Sequence, residues 1–182
     1  MKALYLALVV LRVLLSVLPS YIHPDEFFQG PEIAAADILQ TSGLRTWEFG
    51  SPAVRSIVPL YAFAGPPMAA LKVLGVAPTA WRVFAGSRVF MALVSLGVDV
   101  GVFRATRSRA LLLVLASSHC LCAFHAHTFA NSLASVVLAT CFGLLQRIIQ
   151  RRGGAGGGLA WLGAWLALGS FAHVTFPAFA WP

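Results

Sequence analysis

Five long apolar stretches divide the sequence, at 3–18, 83–103, 110–126, 128–146 and 159–180. Crossing a bilayer as a helix takes about 20 mostly apolar residues, so each is expected to span, with 110–126 near the short limit. The first could also serve as the apolar core of a signal peptide. The residues after it, Pro19, Ser20 and Tyr21, make no small-x-small cleavage site, so it is read as an uncleaved span. Arg12 lies inside it and is expected to face other protein or to snorkel, because a charge in hydrocarbon is costly. A sixth stretch, 56–75, is long enough to cross but contains Pro59, Pro66 and Pro67. It is expected to be re-entrant or interfacial. Within the polar loop 19–55, Phe28, Pro31, Ala35, Ile38 and Leu39 fall on one stripe, which predicts an amphipathic helix on the membrane surface. Pro24 suits its first position, and Gly30-Pro31 is a point where it kinks or restarts. Segment 147–158, with its run of glycines, reads as a flexible loop.

Composition agrees with a bilayer as solvent. Of 182 residues, 59% are hydrophobic and 10% charged, against about a quarter charged in ordinary soluble domains. The formal charge of +7 comes from scattered basic residues, which argues against nucleic acid as a partner. The basic residues also orient the chain. With Lys2 in the cytosol and 56–75 not crossing, 104–109 and 147–152 fall on the cytosolic side too, as basic loops prefer. Loop 19–55 then lies on the opposite face. The three cysteines, Cys120, Cys122 and Cys141, sit in apolar stretches and read as small buried residues. His119, His125 and His127 have no acids arranged to complete a metal site, so no metal and no cofactor are expected.

Five of the six acids, Asp25, Glu26, Glu32, Asp37 and Glu48, lie in 19–55. Glu32 and Asp37 fit a solvated face. Asp25 and Glu26 follow His23-Pro24 at the exit of the first span, in the first turn of the expected helix, where its dipole favours carboxylates. Neighbours on a helix point about 100° apart, so the two acids should have different jobs. On the residues alone, helix capping and catalysis both stand. The sixth acid, Asp99, is inside the second span, where a basic partner in a neighbouring span is expected.

The run Tyr21-Ile-His-Pro-Asp-Glu-Phe-Phe-Gln29 is followed by Pro31-Glu32, Thr46-Trp-Glu-Phe49 and Arg55-Ser-Ile-Val-Pro59. With it, the chain resembles glycosyltransferase family 22, the membrane mannosyltransferases that use dolichyl-phosphate-mannose. Arg88 with Ser95-Leu-Gly-Val-Asp99, His127-Thr-Phe-Ala-Asn-Ser-Leu133 and Phe171-Ala-His-Val-Thr-Phe-Pro177 extend the resemblance over essentially the whole chain. It departs from the family pattern at His127 and His173, where Arg is usual, at Ala130 for Ser and at Ala134 for Glu.

The resemblance implies an all-α, polytopic membrane protein: a GT-C-type bundle in the endoplasmic reticulum membrane with 19–55 as its lumenal catalytic loop. It implies that 1–182 is one transmembrane domain and an N-terminal fragment, since family members are longer. The implied reaction is inverting transfer of mannose from dolichyl-phosphate-mannose to a GPI-precursor glycolipid, adding its fourth mannose. Asp25 is the expected general base and Glu26 the second catalytic candidate, suited to binding sugar hydroxyls. Arg55 and Arg88 are candidates for the leaving phosphate, with helix-end snorkelling as the other reading of each. Trp47 is a candidate to stack on sugar or to anchor at the interface, and Asn131 to hydrogen-bond across helices. His23, Gln29 and Glu48 join the expected substrate-binding set through their motifs. Rival readings are the third GPI mannose, an N-glycan precursor as acceptor, an inactive truncated isoform, and a transporter fragment.

Overall fold

The computed structural model describes residues 1–20, 22–150, 156–173 and 175–180, and these are helical without strands. Helix α1 (Lys2–Ser16) leads into two short helices, α2 (Asp25–Phe28) and α3 (Pro31–Leu39). A 3-10 turn at Trp47–Phe49 precedes α4 (Val58–Phe63) and α5 (Gly65–Val73). Helices α6 (Ala80–Val94) and α7 (Leu96–Thr106) follow almost without interruption, then α8 (Arg109–Ala116), a π turn at Cys120–Phe124, α9 (Ala130–Gln150), α10 (Gly156–Ala172) and α11 (Phe176–Ala180).

Two helical stretches are long and apolar enough to cross a membrane, Ala80–Thr106 with 27 residues and Ala130–Gln150 with 21. At 1.5 Å per residue they measure about 40 and 32 Å, against a hydrocarbon core of about 30 Å. Three expected elements differ. The stretch 110–126 is not one helix: α8 stops at Ala116, and Ser117 Oγ donates to the Val114 carbonyl while Ser118 Oγ accepts from Leu121 N. Serines that satisfy backbone groups locally compete with the helix ladder. The stretch 159–180 ends its helix at Ala172 and restarts at Phe176, just ahead of Pro177. Of the loop expected at 147–158, residues 147–150 end α9 and 156–158 begin α10, and 151–155 lie outside the described residues. The stripe expected across 25–39 is also reset at Gly30, where a new helix starts. Phe28 is exposed, and Pro31, Ile33, Ala34 and Ala35 are the buried side of α3.

Buried charge ties α1 to α6–α7. Arg12 is fully buried and bonds Asp99 at 3.1 Å and Ser95 Oγ at 3.1 Å, while Tyr5 OH donates to Asp99 at 2.9 Å. Asp99 therefore has the basic partner in a neighbouring helix that its position suggested. Ser20 meets Arg88 at the other end, so α1 and α6–α7 run antiparallel. Glycines bring α7 against α9 with both running the same way. A Cβ on Gly97 would meet Val136, one on Gly101 would overlap the Ala139 carbonyl, and Gly143 lies against Gly101 and Arg104. Ile148 packs beside Gly158, so α10 returns antiparallel to α9. Lys2, Arg104 and Arg147 consequently share one end of the bundle, and Ser20, Glu26 and Thr128 share the other.

Helices α4 and α5, of 6 and 9 residues, are too short to cross a bilayer. They pack at the Ser20 end, where Leu60, Phe63, Ala64 and Met68 join Ile33, Ala34, Phe49 and Met91 in one apolar cluster.

Small residues at close helix crossings let backbones approach. Gly101→Leu should therefore lower stability by about 1–3 kcal/mol, the usual cost of overpacking. Thermal unfolding in detergent reads this, with Gly163→Leu as control, because a Cβ at Gly163 meets nothing within 4 Å.

Candidate active site

A cavity of about 640 Å³ opens at the Ser20 end of the bundle. Six of the residues singled out from sequence line it: His23, Asp25, Gln29, Glu48, Arg55 and Asn131. Glu26, Trp47 and Arg88 are not among its lining residues.

The two neighbouring acids are separated by a one-turn helix. His23 C=O accepts from Glu26 N at 3.2 Å and Pro24 C=O from Phe27 N at 3.0 Å, which fixes α2 at its first turn. Asp25 then faces the cavity, with its side chain 47% exposed and its Oδ1 3.4 Å from His23 Nδ1. Glu26 turns inward and is fully buried. Its Oε1 accepts from Arg88 Nε at 2.8 Å and its Oε2 from Arg88 NH2 at 2.9 Å. Thr128 N donates to Oε1 at 3.3 Å, and Thr128 Oγ1 donates to the Glu26 carbonyl at 3.1 Å. Burial pushes the Glu26 carboxyl above its ordinary pKa, while the hydrogen bonds and charge of Arg88 and the Thr128 amide pull it back.

Arg88 is as buried as its partner. Its NH1 donates to Ser20 Oγ and its NH2 to the Ser20 carbonyl, both at 2.8 Å, and its guanidinium lies 4.7 Å from the Phe84 ring centroid. His127 Nδ1 lies against the Ala123 carbonyl, which can only accept, so Nδ1 carries the proton and Nε2 accepts from Ser20 Oγ at 3.3 Å. Burial, then the charge of Arg88, lowers the His127 pKa and keeps the ring neutral. The expected roles of Glu26 on sugar hydroxyls and of Arg88 on phosphate therefore meet an obstacle. Both side chains are spent on each other, on Ser20 and on Thr128, and neither reaches the cavity surface.

The remaining cavity wall is built by 46–55. Arg55 NH2 donates to Glu48 Oε1 at 2.9 Å, and its NH1 donates to Gln29 Oε1. The Glu48 carbonyl accepts from Val54 N and Arg55 N, closing the loop on itself. Glu48 Oε2 has no partner among the described residues. Trp47 is 78% exposed outside the cavity. The acids read as a solvated face do more than that. Glu32 accepts from Leu44 N, and Asp37 bonds both Arg45 and Tyr61, so the two anchor the segment after α3.

Residues 3–182 match the Alg9-like mannosyltransferase family. The chain belongs to this family. Curated relatives include GPI mannosyltransferase 4 of Aspergillus oryzae, 34% identical over 96% of this chain and 35% of its own length. Human GPI alpha-1,2-mannosyltransferase 4 is 32% identical over 98% of this chain and 34% of its own length. The chain thus spans about a third of the length of these relatives. No solved structure gives a significant match.

For this Alg9-like chain, sequence reasoning did not place Thr128, Ser170 and His173 in the site, though all three line the cavity. The motifs holding Thr128 and His173 were visible, but their distance along the chain from Asp25 gave no sign that the fold joins them. Ser20 and His127, which complete the buried network around Arg88, carried no spacing signal of their own.

Proposed function

We propose that this chain forms the catalytic end of a polytopic GT-C-type mannosyltransferase of the endoplasmic reticulum membrane. It transfers mannose from dolichyl-phosphate-mannose to a three-mannose GPI precursor. The observation that carries this reading is the separation of the two acids. Asp25 is open to a sugar-sized cavity, while Glu26 is locked into the fold beside it. The grouping of the basic residues at the opposite end supports placing the cavity on the lumenal side. The names of the relatives supply the acceptor.

In this mechanism a hydroxyl of the acceptor mannose lies within hydrogen-bond reach of Asp25. Asp25 takes its proton as the oxygen attacks the anomeric carbon of the donor. The bond from that carbon to the phosphate oxygen breaks on the opposite face, and its electron pair leaves with dolichyl phosphate. The result is an α-mannoside from a β-linked donor. Arg55 is held by Glu48 and Gln29 at the rim, and Glu48 supplies acceptor groups for sugar hydroxyls. Glu26 and Arg88 act through position, fixing α2 so that Asp25 faces the cavity.

The test is product analysis with the full-length protein in membranes, given dolichyl-phosphate-mannose and GPI precursors of two or three mannoses. The expected product is a four-mannose precursor with an α-linked terminal residue. A three-mannose product alone would move the enzyme to the preceding step, and a product made equally well from a nucleotide-linked mannose would overturn the donor assignment.

A further inference from the structure

The cavity has two chemically different walls. One, from 23–55, carries both of its carboxylates, Asp25 and Glu48, together with Arg55, which pairs with Glu48. The other, from 128–131 and 170–173, carries no acid. It presents Asn131, whose side-chain amide has no partner among the described residues, and His173. Thr175 N lies 3.4 Å and Thr175 Oγ1 2.7 Å from His173 Nδ1. A backbone N–H can only donate, so Nδ1 accepts and the proton of the neutral ring sits on Nε2. Nε2 has no partner among the described residues, and His173 lines the cavity.

We infer that this second wall receives the phosphoryl group of the lipid-linked donor, with His173 Nε2–H as its hydrogen-bond donor and Asn131 as a second. The inference rests on the mannosyl-transfer reading above. In an inverting displacement the attacking oxygen and the leaving oxygen lie on opposite faces of the anomeric carbon. With the base on the α2 wall, the phosphate belongs on a different wall of the cavity. On the first wall Asp25 repels a negative phosphate and Arg55 is already engaged by Glu48 and Gln29, whereas Asn131 and His173 offer unengaged neutral donors. The surroundings favour a lipid phosphate over a free one. Phe171, in the last turn of α10 two residues before His173, is 70% exposed, and Leu168 and Trp161 continue its face away from the cavity, giving an isoprenoid chain an apolar path.

The test is binding by the full-length protein in detergent of three probes: a short-chain polyprenyl phosphate, the matching polyprenol and inorganic phosphate. Wild type should prefer the polyprenyl phosphate to the alcohol. His173→Ala should reduce that preference about tenfold or more, the scale of a lost hydrogen bond to a charged group. His173→Gln, which keeps an N–H near the Nε2 position, should retain most of it. In transfer assays His173→Ala should raise KM for the donor and leave KM for the acceptor unchanged, which a general loss of structure would not do. Asn131→Leu gives a second probe of the same wall, with a smaller loss in the same direction. An unchanged phosphate preference in His173→Ala, or equal losses of donor and acceptor binding, would overturn the assignment. Inorganic phosphate competing as well as the polyprenyl phosphate would overturn its lipid part. Asp25→Asn, which removes a negative charge from the cavity, should bind the phosphate lipid at least as tightly as wild type. An active Asp25→Asn enzyme would count against the base and leave the phosphate wall to be judged by the binding data.

Discussion

Asp25→Asn should lower mannose transfer by about 10²–10⁴-fold, the usual contribution of a positioned general base, while leaving thermal unfolding in detergent unchanged. The stability half of this expectation follows from exposure. The Asp25 side chain is 47% exposed, and the imidazole beside it, His23, is more exposed still. Asn keeps the size and the acceptor oxygen but cannot take a proton. Donor and acceptor affinities should therefore change little, and the loss should fall on kcat. Asp25→Glu should recover part of the rate, because the carboxylate returns at a displaced position. A matched loss of stability and activity in Asp25→Asn would mean that the residue serves the fold.

Arg88→Ala should destabilise the protein by about 3–5 kcal/mol, because it leaves the Glu26 carboxylate buried without its partner. Both groups are within 1% of full burial, so little solvent screening reduces this cost. The same change removes the donors that hold Ser20 at the end of α1. Combining Arg88→Met with Glu26→Leu removes both charges and should restore most of the stability, since apolar replacements of buried ion pairs are often neutral or better. It should not restore activity. Without the bidentate pair, α2 loses the charged tie that sets its rotation and aims Asp25, and keeps the weaker Thr128 Oγ1 bond to the Glu26 carbonyl. Unfolding and transfer measured on the single and double variants separate the two effects. Full activity in the stable double variant would show that packing alone orients Asp25.

How much of this was legible in the sequence depends on whether the information is local. Hydropathy marked α6–α7 and α9, and the prolines marked 56–75 as different, because both signals lie in contiguous residues. The break in 110–126 was hidden: Ser117 and Ser118 count as two tolerable polar residues in an apolar run, yet their hydroxyls take over backbone hydrogen bonds. The break before α11 was readable from Pro177, which has no N–H to bond the His173 carbonyl four residues back. The site divides in the same way. His23, Asp25 and Gln29 come from one motif and line one cavity together. Arg88 looked like a cation awaiting phosphate because its partner Glu26 lies 62 positions away, and no local pattern reports that pairing. Helical geometry did indicate that adjacent acids have different tasks, but only the buried guanidinium decides which of the two is withheld from substrate.

The most direct measurement is a side-by-side comparison of Asp25→Asn and Glu26→Gln in the full-length protein. Transfer from dolichyl-phosphate-mannose to the three-mannose GPI precursor would be followed in microsomes lacking that activity, with membrane insertion and melting temperature recorded for each variant. The account predicts that Asp25→Asn melts like wild type and makes no four-mannose product above background, and that Glu26→Gln melts lower but keeps measurable transfer. An active Asp25→Asn variant beside a Glu26→Gln variant that melts like wild type and makes no product would contradict it, and would make the buried acid the one on which transfer depends.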